Sequence, residues 1–346
     1  MIAAGGTAGH VVPAIAVADA LRAEGAEVTF VGGERAEAEL VPAAGYPLDR
    51  IAVEGISRSN PLKAARALLK AAGALGGARR ILRARQPDAV LGGGGYVAGP
   101  VGLAATLKRI PIVLSEADSH LGLTNRALAS RARRVCLAFP LEGRDGDRYR
   151  VTGRPVPPTY DDRAGARAEL GIAPEETCVL VFGGSLGARS INLAAVEGLA
   201  GTPYRVLHVA GRRDFAELTA PDDRYLLRDY LSPFGVALAA ADLAVARSGG
   251  SVFELAQYGL PAVLIPYPHA SADHQSTNAR WMADAGAAVV LADAELTPAR
   301  LRAEADAIAL DPERLHTMSA ASARLARPDA AREIAAELLA AASRQS

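Results

Sequence analysis

Cysteine, aromatic residues and long hydrophobic runs are all scarce in this sequence. Cys136 and Cys178 are its two cysteines, and aromatic residues make up 5% of its 346 positions. Two isolated cysteines offer neither a metal-ligand spacing nor a disulfide framework, so we expect free thiols in a reducing compartment. No run of about 18 apolar residues occurs, which argues against a transmembrane helix.

The N-terminus also lacks the features of a targeting segment. It begins directly with an apolar strand and a glycine turn, which leaves no room for a signal peptide. We therefore expect a cytoplasmic protein. Half of the residues are hydrophobic and 22% are charged, a composition typical of a globular chain. The length is too great for one compact core and suits two domains.

The net charge of zero conceals opposite charges in the two halves of the chain. Residues 1–150 carry 20 Lys and Arg against 14 Asp and Glu, whereas residues 151–346 carry 18 against 24. No acidic residue occurs between Glu54 and Asp88. Eight basic residues stand in that interval, interleaved with leucine and isoleucine: Arg58, Lys63, Arg66, Lys70, Arg79, Arg80, Arg83 and Arg85.

This basic and apolar segment, residues 58–85, has two interpretations. A helix with apolar and cationic faces can lie on an anionic membrane, where each basic residue contributes ~1 kcal/mol. Alternatively, the apolar residues face the core of their own domain and the charges face water. Nucleic acid explains the segment less well, because aromatic residues are not interleaved with the charges and the other half of the chain is acidic.

Short β-like runs alternate with helical stretches along the whole chain, which is typical of parallel sheets wrapped by helices. Each half opens with a strand, a glycine turn and a helix. We predict an α/β protein with two Rossmann-like, doubly wound domains. The predicted strands lie at 2–4, 27–31, 89–91, 112–114 and 134–137 in the first half, and at 178–182, 205–209, 243–246, 262–265 and 288–291 in the second.

Residues 151–158 form the connector between the two predicted domains. Three prolines in four residues, Pro155 to Pro158, cannot continue a helix or a central strand. We predict an N-terminal domain at 1–156, a C-terminal domain at 157–326 and a terminal helix at 327–346. One possible arrangement is that this helix packs back on the N-terminal domain. Two such domains would leave a cleft, and ligands bind beyond the carboxyl ends of the strands.

Three glycine-rich turns follow predicted strands, at residues 5–10 (GGTAGH), 92–96 and 183–189. Such a turn before a helix presents backbone N–H groups and a positive dipole end to an anion. None continues into the Gly-Lys-Ser/Thr of a nucleotide-triphosphate loop or fits the G-x-G-x-x-G spacing. His10 stands at the start of the helix after the first turn. It is either a candidate general base, since imidazole titrates near neutrality, or an exposed or capping residue.

The densest polar cluster lies in the second half, at residues 247–254 and 266–278. Small residues after the strand at 243–246 would let the backbone approach a phosphate. Glu254, near the start of the next helix, can accept hydrogen bonds from a ribose diol. Gln275 and Asn278 fall three apart and share a helix face, suited to sugar hydroxyls. The cluster predicts a hydroxyl-rich ligand.

These motifs, taken in order, resemble those of the MurG family of glycosyltransferases. The similarity covers residues 5–13, 94–100, 122–126, 181–192, 247–254 and 273–278, and it runs to about residue 290. It implies the GT-B arrangement, in which two Rossmann-like domains face each other across a cleft. It further implies metal-free and cofactor-free, inverting transfer of N-acetylglucosamine (GlcNAc) from UDP-GlcNAc to the C4 hydroxyl of the muramic acid in lipid I. The lipid-linked acceptor favours the membrane interpretation of residues 58–85.

The resemblance also implies roles for individual residues. His10 is the first candidate base and Glu116 the second. In the second domain, Ser185 would contact the diphosphate or uridine, Leu231 the uracil, Ser251 the phosphates, Glu254 the ribose and Gln275 the GlcNAc hydroxyls. The other predicted substrate-binding residues are Gly6, Thr7, Ala8, Gly9, Tyr96, Asp118 and Arg154 on the acceptor side, and Tyr230, Phe234, Gly249, Gly250, Val252 and Asn278 on the donor side.

The sequence departs from the family pattern at several positions. Asp118 stands where the family usually has Asn, and Pro157 where it often has Arg, a cation for which Arg154 is the candidate replacement. Leu186 replaces a glutamine, and the loop before Glu254 is one residue shorter. Three alternatives follow: a related transferase with another acceptor, such as a diacylglycerol or a natural-product aglycone; a UDP-GlcNAc epimerase; or a protein that only binds the sugar nucleotide.

Overall fold

The computed structural model describes residues 1–52, 61–184, 187–270 and 273–343, with residues 61–72 described as backbone only. The chain divides into two compact units. The first unit comprises residues 1–157 together with 327–346, and the second comprises residues 158–326.

The first unit is built on a parallel sheet. Its strands are Ile2–Ala3 (β1), Phe30–Gly32 (β2), Leu48–Arg50 (β3), Val90–Gly92 (β4), Ile112–Glu116 (β5), Arg134–Leu137 (β6) and Tyr149–Val151 (β7). They lie in the order β3-β2-β1-β4-β5-β6-β7. The central strands are covered on both faces, which explains their continuous apolar sequences. The strand order reverses between β1 and β4, where ligands of such sheets bind.

Helices cover both faces of this sheet. They are Ala8–Ala23 (α1), Ala36–Ala43 (α2), Pro61–Arg85 (α3), Gly95–Leu107 (α4) and Leu123–Leu128 (α5). α1 and α4 each follow a glycine turn, as the alternation of strands and helices predicted. On one face, Val97 and Val101 of α4 pack with Leu82 of α3, and on the other Val17 and Leu21 of α1 pack with Phe30.

The second unit repeats this plan. Its strands are Cys178–Phe182 (β8), Arg205–Val209 (β9), Tyr225–Arg228 (β10), Leu243–Ala246 (β11), Ala262–Leu264 (β12) and Ala288–Val290 (β13), and they form a parallel sheet in the order β10-β9-β8-β11-β12-β13. Its helices are Arg163–Glu169 (α6), Arg189–Gly198 (α7), Gly235–Ala240 (α8), Ser251–Gln257 (α9), His274–Asp284 (α10), Pro298–Ala309 (α11) and Pro312–Arg324 (α12).

The last helix, Ala330–Ser343 (α13), returns to the first unit. Ile334 is fully buried and Leu338 is 4% exposed, both within the core formed with α1. Glu337 accepts hydrogen bonds from Arg134 at 2.8 Å and from Arg150 at 3.0 Å. Apolar burial and ion pairs therefore both hold α13 against the first sheet.

The predicted fold class, α/β with two doubly wound parallel sheets, is confirmed. Three edge strands, β3, β7 and β10, were missing from the prediction. Cys136 and Cys178 are both buried free thiols. No helix in the described ranges is long and apolar enough to cross a bilayer.

Candidate active site

The glycine turns of the first unit meet where the strand order reverses. The loop after β1 and the loop after β4 touch so closely that a Cβ on Gly95 would lie 1.8 Å from the carbonyl oxygen of Gly5. Gly95 also has a φ of +76°, in the left-handed region that favours glycine. Both features require glycine at position 95. The two loops, which sequence reasoning treated separately, form one surface at the carboxyl edge of the sheet.

His10 lies in the first turn of α1, against this surface. Its Nδ1 is 3.4 Å from Oγ1 of Thr7. The edge of its ring abuts Gly94, where a Cβ would come within 2.6 Å of Cδ2. Burial lowers the pKa of His10 below its usual value; Asp118 opposes this effect and Arg154 adds to it. The imidazole is therefore neutral near pH 7, as a general base must be.

Arg154 reaches from the connector after β7 to the first turn of α1. Its Nη2 donates to the carbonyl oxygen of Gly9 at 2.6 Å, and its Nη1 donates to that of Ala117 at 3.4 Å. Pro13 explains why the Gly9 carbonyl accepts this bond, because proline has no N–H to donate to the carbonyl four residues before it. The guanidinium thus fixes the backbone next to His10.

Glu116, the second candidate base, ends β5 and is 6% exposed. Its carboxylate accepts hydrogen bonds from the Gly122 N–H at 2.8 Å, the Asn125 amide at 2.9 Å and the Asp118 N–H at 3.2 Å. Burial raises the pKa of Glu116 above its usual value, although these hydrogen bonds oppose the rise. Both oxygens are engaged in shaping the loop at 117–122, which carries Asp118 beside His10.

Glu37 was not among the predicted site residues, yet its side chain holds the glycine loops together through hydrogen bonds. Its buried carboxylate accepts hydrogen bonds from the Gly6 and Gly33 N–H groups, both at 2.8 Å, and from the Tyr96 hydroxyl at 2.7 Å. Gly6 and Tyr96 were both predicted to bind substrate, but the Gly6 amide and the Tyr96 hydroxyl donate to Glu37 instead. In sequence, Glu37 resembles any acidic residue in the first turn of a helix.

The predicted donor residues lie at the carboxyl edge of the second sheet. Residues 247–250 follow β11, and α9 begins at Ser251 with Glu254 in its first turn. Ser251 and Glu254 are partly exposed. Val252 has no exposure, and its N–H donates to the Gly249 carbonyl at 3.3 Å, so it supports the start of α9 from inside rather than facing a ligand. The start of α9 offers N–H groups and a positive dipole end suited to phosphate.

Arg247 fixes the geometry of this edge, a role that its sequence position did not reveal. Its guanidinium pairs with Asp293 at 2.6 Å, donates to Oγ of Ser190 at 2.8 Å and to the Ile265 carbonyl at 3.1 Å, and lies over the Tyr267 ring. It therefore ties the ends of β11 and β12 to the first turn of α7.

Gln275 and Asn278 share a face of α10, as their spacing predicted, and both contact the loop after β11. Asn278 is 3% exposed, and its amide donates to the Ser248 carbonyl at 3.0 Å. The Gln275 side-chain oxygen accepts from the Tyr267 N–H at 2.9 Å, while its amide nitrogen lies beside Gly249. Among the described residues, the Gln275 amide nitrogen has no hydrogen-bond partner, whereas Asn278 supports the loop from inside.

The residues predicted around uracil lie between β10 and α8. Phe234 packs against Phe182 with a ring separation of 5.0 Å. Tyr230 is 47% exposed and lies under the guanidinium of Arg212. Leu231 is partly exposed between them. Ser185, predicted to contact the diphosphate or uridine, lies outside the described residues, and so does Leu186.

The glycine loop after β8 packs on the chain that follows β9. A Cβ on Gly187 would lie 2.0 Å from the Ala210 carbonyl oxygen. Asn192, a residue of the family motif, is fully buried and donates to the same carbonyl at 2.9 Å and to Asp214 at 3.0 Å. Its Oδ1 is 3.0 Å from Nε2 of His208. Asn192 is thus a scaffold residue behind the loop.

Comparison with known proteins agrees with this division into two halves. The sequence matches the glycosyltransferase family 28 N-terminal domain over residues 1–137 and the family's C-terminal domain over residues 178–334. The chain belongs to glycosyltransferase family 28. A family 28 relative from Moorella thermoacetica is 42% identical over 353 residues, covering 95% of each chain, and is named UDP-N-acetylglucosamine--N-acetylmuramyl-(pentapeptide) pyrophosphoryl-undecaprenol N-acetylglucosamine transferase.

Solved structures agree with the family 28 assignment. The crystal structure of Acinetobacter baumannii MurG matches with a TM-score of 0.80 at 29% identity, covering 98% of each chain. The UDP-GlcNAc 2-epimerase from Neisseria meningitidis matches with a TM-score of 0.69 at 14% identity, covering 98% of this chain and 99% of the other, a likeness of fold alone. The predicted resemblance to the MurG family and the predicted enzyme class, a glycosyltransferase, are confirmed.

Proposed function

We propose that this family 28 protein transfers GlcNAc from UDP-GlcNAc to the C4 hydroxyl of the muramic acid of lipid I, forming lipid II for peptidoglycan synthesis with inversion at the anomeric carbon. The observation that carries the proposal is 42% identity, over 95% of both chains, to a protein named for this transfer. His10 in the first unit, which is suited to act as a base, and the polar edge of the second sheet, which is suited to a sugar nucleotide, support the proposal.

His10 is the base in this mechanism. When its Nδ1–H donates to Thr7, its Nε2 keeps a free lone pair for the proton of the C4 hydroxyl. The C4 oxygen forms a bond to the anomeric carbon while the bond from that carbon to the phosphate oxygen breaks. UDP leaves with the electron pair, and His10 holds the proton. Glu116 is less suitable, because the hydrogen bonds it accepts already occupy both of its oxygens.

The donor edge stabilises the departing UDP. As the bond breaks, negative charge grows on the diphosphate, and the backbone N–H groups of residues 249–251 and the Ser251 hydroxyl are suited to receive it. Glu254 accepts from the ribose diol, and the amide of Gln275 donates to GlcNAc hydroxyls. Tyr230 and Phe234 flank the uracil beside Leu231. Ser185 remains the predicted diphosphate or uridine contact.

The acceptor side is the loop that carries His10. We assign the N–H groups of Thr7, Ala8 and Gly9 to the acceptor diphosphate, because the start of α1 provides a positive dipole end there. Asp118 and Arg154 are the charged groups beside His10. Arg154 already donates to the Gly9 carbonyl, so it acts on this site by fixing the loop and by its charge.

The proposal includes a cytoplasmic protein that attaches peripherally to the cytoplasmic face of the cell membrane through the basic segment at 58–85. Part of this segment lies outside the described side chains. In the described part of α3, Ile81 and Leu82 are buried, while Arg79, Arg80 and Arg83 are exposed. The apolar residues there face the core, as the alternative interpretation held, so membrane contact in this part would come from arginine.

Binding to lipid vesicles tests the membrane proposal. We expect binding to vesicles that contain anionic lipid, reduced roughly 100-fold when Arg79, Arg80 and Arg83 are all replaced by glutamine, because each contributes ~1 kcal/mol. Neutral vesicles serve as the control, and binding should weaken with salt. Binding that is equal for neutral and anionic vesicles, or unaltered by the three substitutions, would refute the electrostatic mechanism.

Release of UDP from UDP-GlcNAc, measured with EDTA present and with or without a lipid I analogue, tests the transferase proposal. We expect release only when the analogue is present. UDP release without an acceptor would point to hydrolysis or to epimerase chemistry. Tight binding of UDP-GlcNAc with no release under either condition would refute transfer to lipid I and favour another acceptor or a binding protein.

A further inference from the structure

Glu37 is a fully buried carboxylate in the first turn of α2. It joins three segments that follow three different strands. Its hydrogen bonds come from the Gly6 N–H after β1, the Gly33 N–H after β2 and the Tyr96 hydroxyl at the start of α4. A single carboxylate thus holds together the carboxyl edge of the first sheet at its strand-order reversal.

The surrounding glycines leave space for this arrangement. A Cβ on Gly5 would lie 2.8 Å from Oε1 of Glu37, and one on Gly32 would lie 2.7 Å from its Cγ. A Cβ on Gly33 would come within 2.2 Å of the Tyr96 hydroxyl. Each of these contacts is shorter than real Cβ atoms tolerate, so the backbone is shaped around the carboxylate and the phenol.

The carboxylate is ionised in this environment. Burial acts to raise the pKa of Glu37, but the hydrogen bonds from Gly6, Tyr96 and Gly33 outweigh it, and the pKa lies below its usual value. An ionised carboxylate accepts hydrogen bonds and donates none, which suits three donors that converge on it. Burial and the bond to Glu37 raise the pKa of Tyr96 to about 12, so its hydroxyl remains a donor.

This hydrogen-bond network bears directly on His10. The Gly6 amide that Glu37 holds lies one residue before Thr7, whose Oγ1 faces the His10 ring. On the other side of the ring stands Gly94, two residues before Tyr96, which Glu37 also holds. Glu37 therefore fixes both segments between which the imidazole lies, without touching the imidazole itself.

We propose that Glu37, acting with Tyr96, is the positioning residue of the acceptor-side site and fixes the position of the His10 imidazole. Glu37 also accepts the hydrogen bond of the Gly6 N–H, which leaves the N–H groups of residues 7–9 for the anionic acceptor. This inference rests on the proposed transferase function. It makes Glu37 a residue that governs turnover and acceptor use but not donor binding, because the predicted donor residues belong to the second unit.

Replacement of Glu37 by glutamine tests the inference at nearly constant volume. The new NH₂ group faces an N–H or O–H donor, so a buried hydrogen bond is lost. We expect kcat to fall roughly 10- to 100-fold, as displacement of a catalytic group by about 1 Å can cost, and KM for UDP-GlcNAc to stay unchanged. Glu39→Gln is the matched control, because Glu39 is exposed on the same helix.

The pH profile separates positioning from general damage to the fold. Burial is the main cause of the low pKa of His10, and Asp118 and Arg154 are the charged groups that act on it. Loosening the loops in Glu37→Gln should expose the ring and move the acid limb of kcat up toward the usual histidine range. We expect Tyr96→Phe, which removes one hydroxyl, to lower kcat and raise the acid limb in the same way but by less. This variant also tests the inference if Glu37→Gln does not fold.

The outcomes distinguish this inference from the function on which it rests. If the unmodified protein releases no UDP with the lipid I analogue, the proposed function fails. If it is active, and Glu37→Gln and Tyr96→Phe both retain the kcat and acid limb of Glu39→Gln, the positioning role is overturned. A normal Tyr96→Phe enzyme beside an unfolded Glu37→Gln protein would also overturn it, leaving Glu37 with a purely structural role.

Discussion

Ile334 of α13 is fully buried in the core of the first unit. Replacing it with alanine removes three carbon atoms, a loss of about 2.4 kcal/mol in transfer free energy at ~0.8 kcal/mol each. The cavity left behind adds to this loss, and measured substitutions of this kind cost about 2–5 kcal/mol. We expect the free energy of unfolding of the first unit to fall by about 3–4 kcal/mol.

Hydrogen exchange read by mass spectrometry can assign this loss to one unit. In Ile334→Ala, exchange should accelerate in peptides from β1 and α1 and stay unchanged in peptides from β8 and α7. This follows because the exchange rate of each peptide reports the stability of its own region. Ile308→Ala is the matched control, because Ile308 is equally buried in α11 of the second unit and should give the reverse pattern. Equal losses in both units, or a loss in the second alone, would refute the assignment of α13 to the first unit.

Three further predictions concern the site. His10→Gln should lower kcat by roughly 10²–10⁴ without changing the affinity for UDP measured by calorimetry, because a general base acts in the chemical step; normal turnover would discard the base assignment. Because His10 must be neutral to act, kcat should fall as the pH drops through the lowered pKa of His10. The pH of this acid limb should rise in Arg154→Met and fall in Asp118→Asn, since Arg154 lowers that pKa and Asp118 raises it. Opposite movements in pH–rate profiles would contradict these charge effects. Glu254→Ala should weaken UDP-GlcNAc binding roughly 10-fold or more through lost hydrogen bonds to a charged group, with exposed Glu313→Ala as the control, and unchanged affinity would remove Glu254 from the site.

The sequence pattern identified the strands that are buried on both faces and one edge strand, β13, but it missed the edge strands β3, β7 and β10. β8 and β11 are continuous apolar runs, which burial on both faces demands. β3, β7 and β10 are edge strands that contain Asp49, Arg150 and Arg228, polar residues that an edge tolerates and that hide the pattern. The strand predicted at 27–31 begins at Phe30, which is paired with Ile2 of β1.

Local motifs predicted the glycine turns and the two helices that begin at the site, but not the contacts that fix them. Arg154 bonds to Gly9, 145 positions away in sequence. Glu37 meets Tyr96 across 59 positions, and Arg247 meets Ser190 across 57. Such pairings depend on strand order, which a local pattern does not contain. The roles assigned to His10, Glu254 and the other site residues stay predictions.

The linkage in the product tests the central claim most directly. UDP-GlcNAc is incubated with a lipid I analogue, and the disaccharide product is examined by NMR for its anomeric configuration and its position of attachment. We expect GlcNAc to be joined through a β bond to the C4 oxygen of muramic acid. An α bond, attachment at another position, or conversion of the sugar nucleotide to its epimer with no disaccharide formed would contradict it.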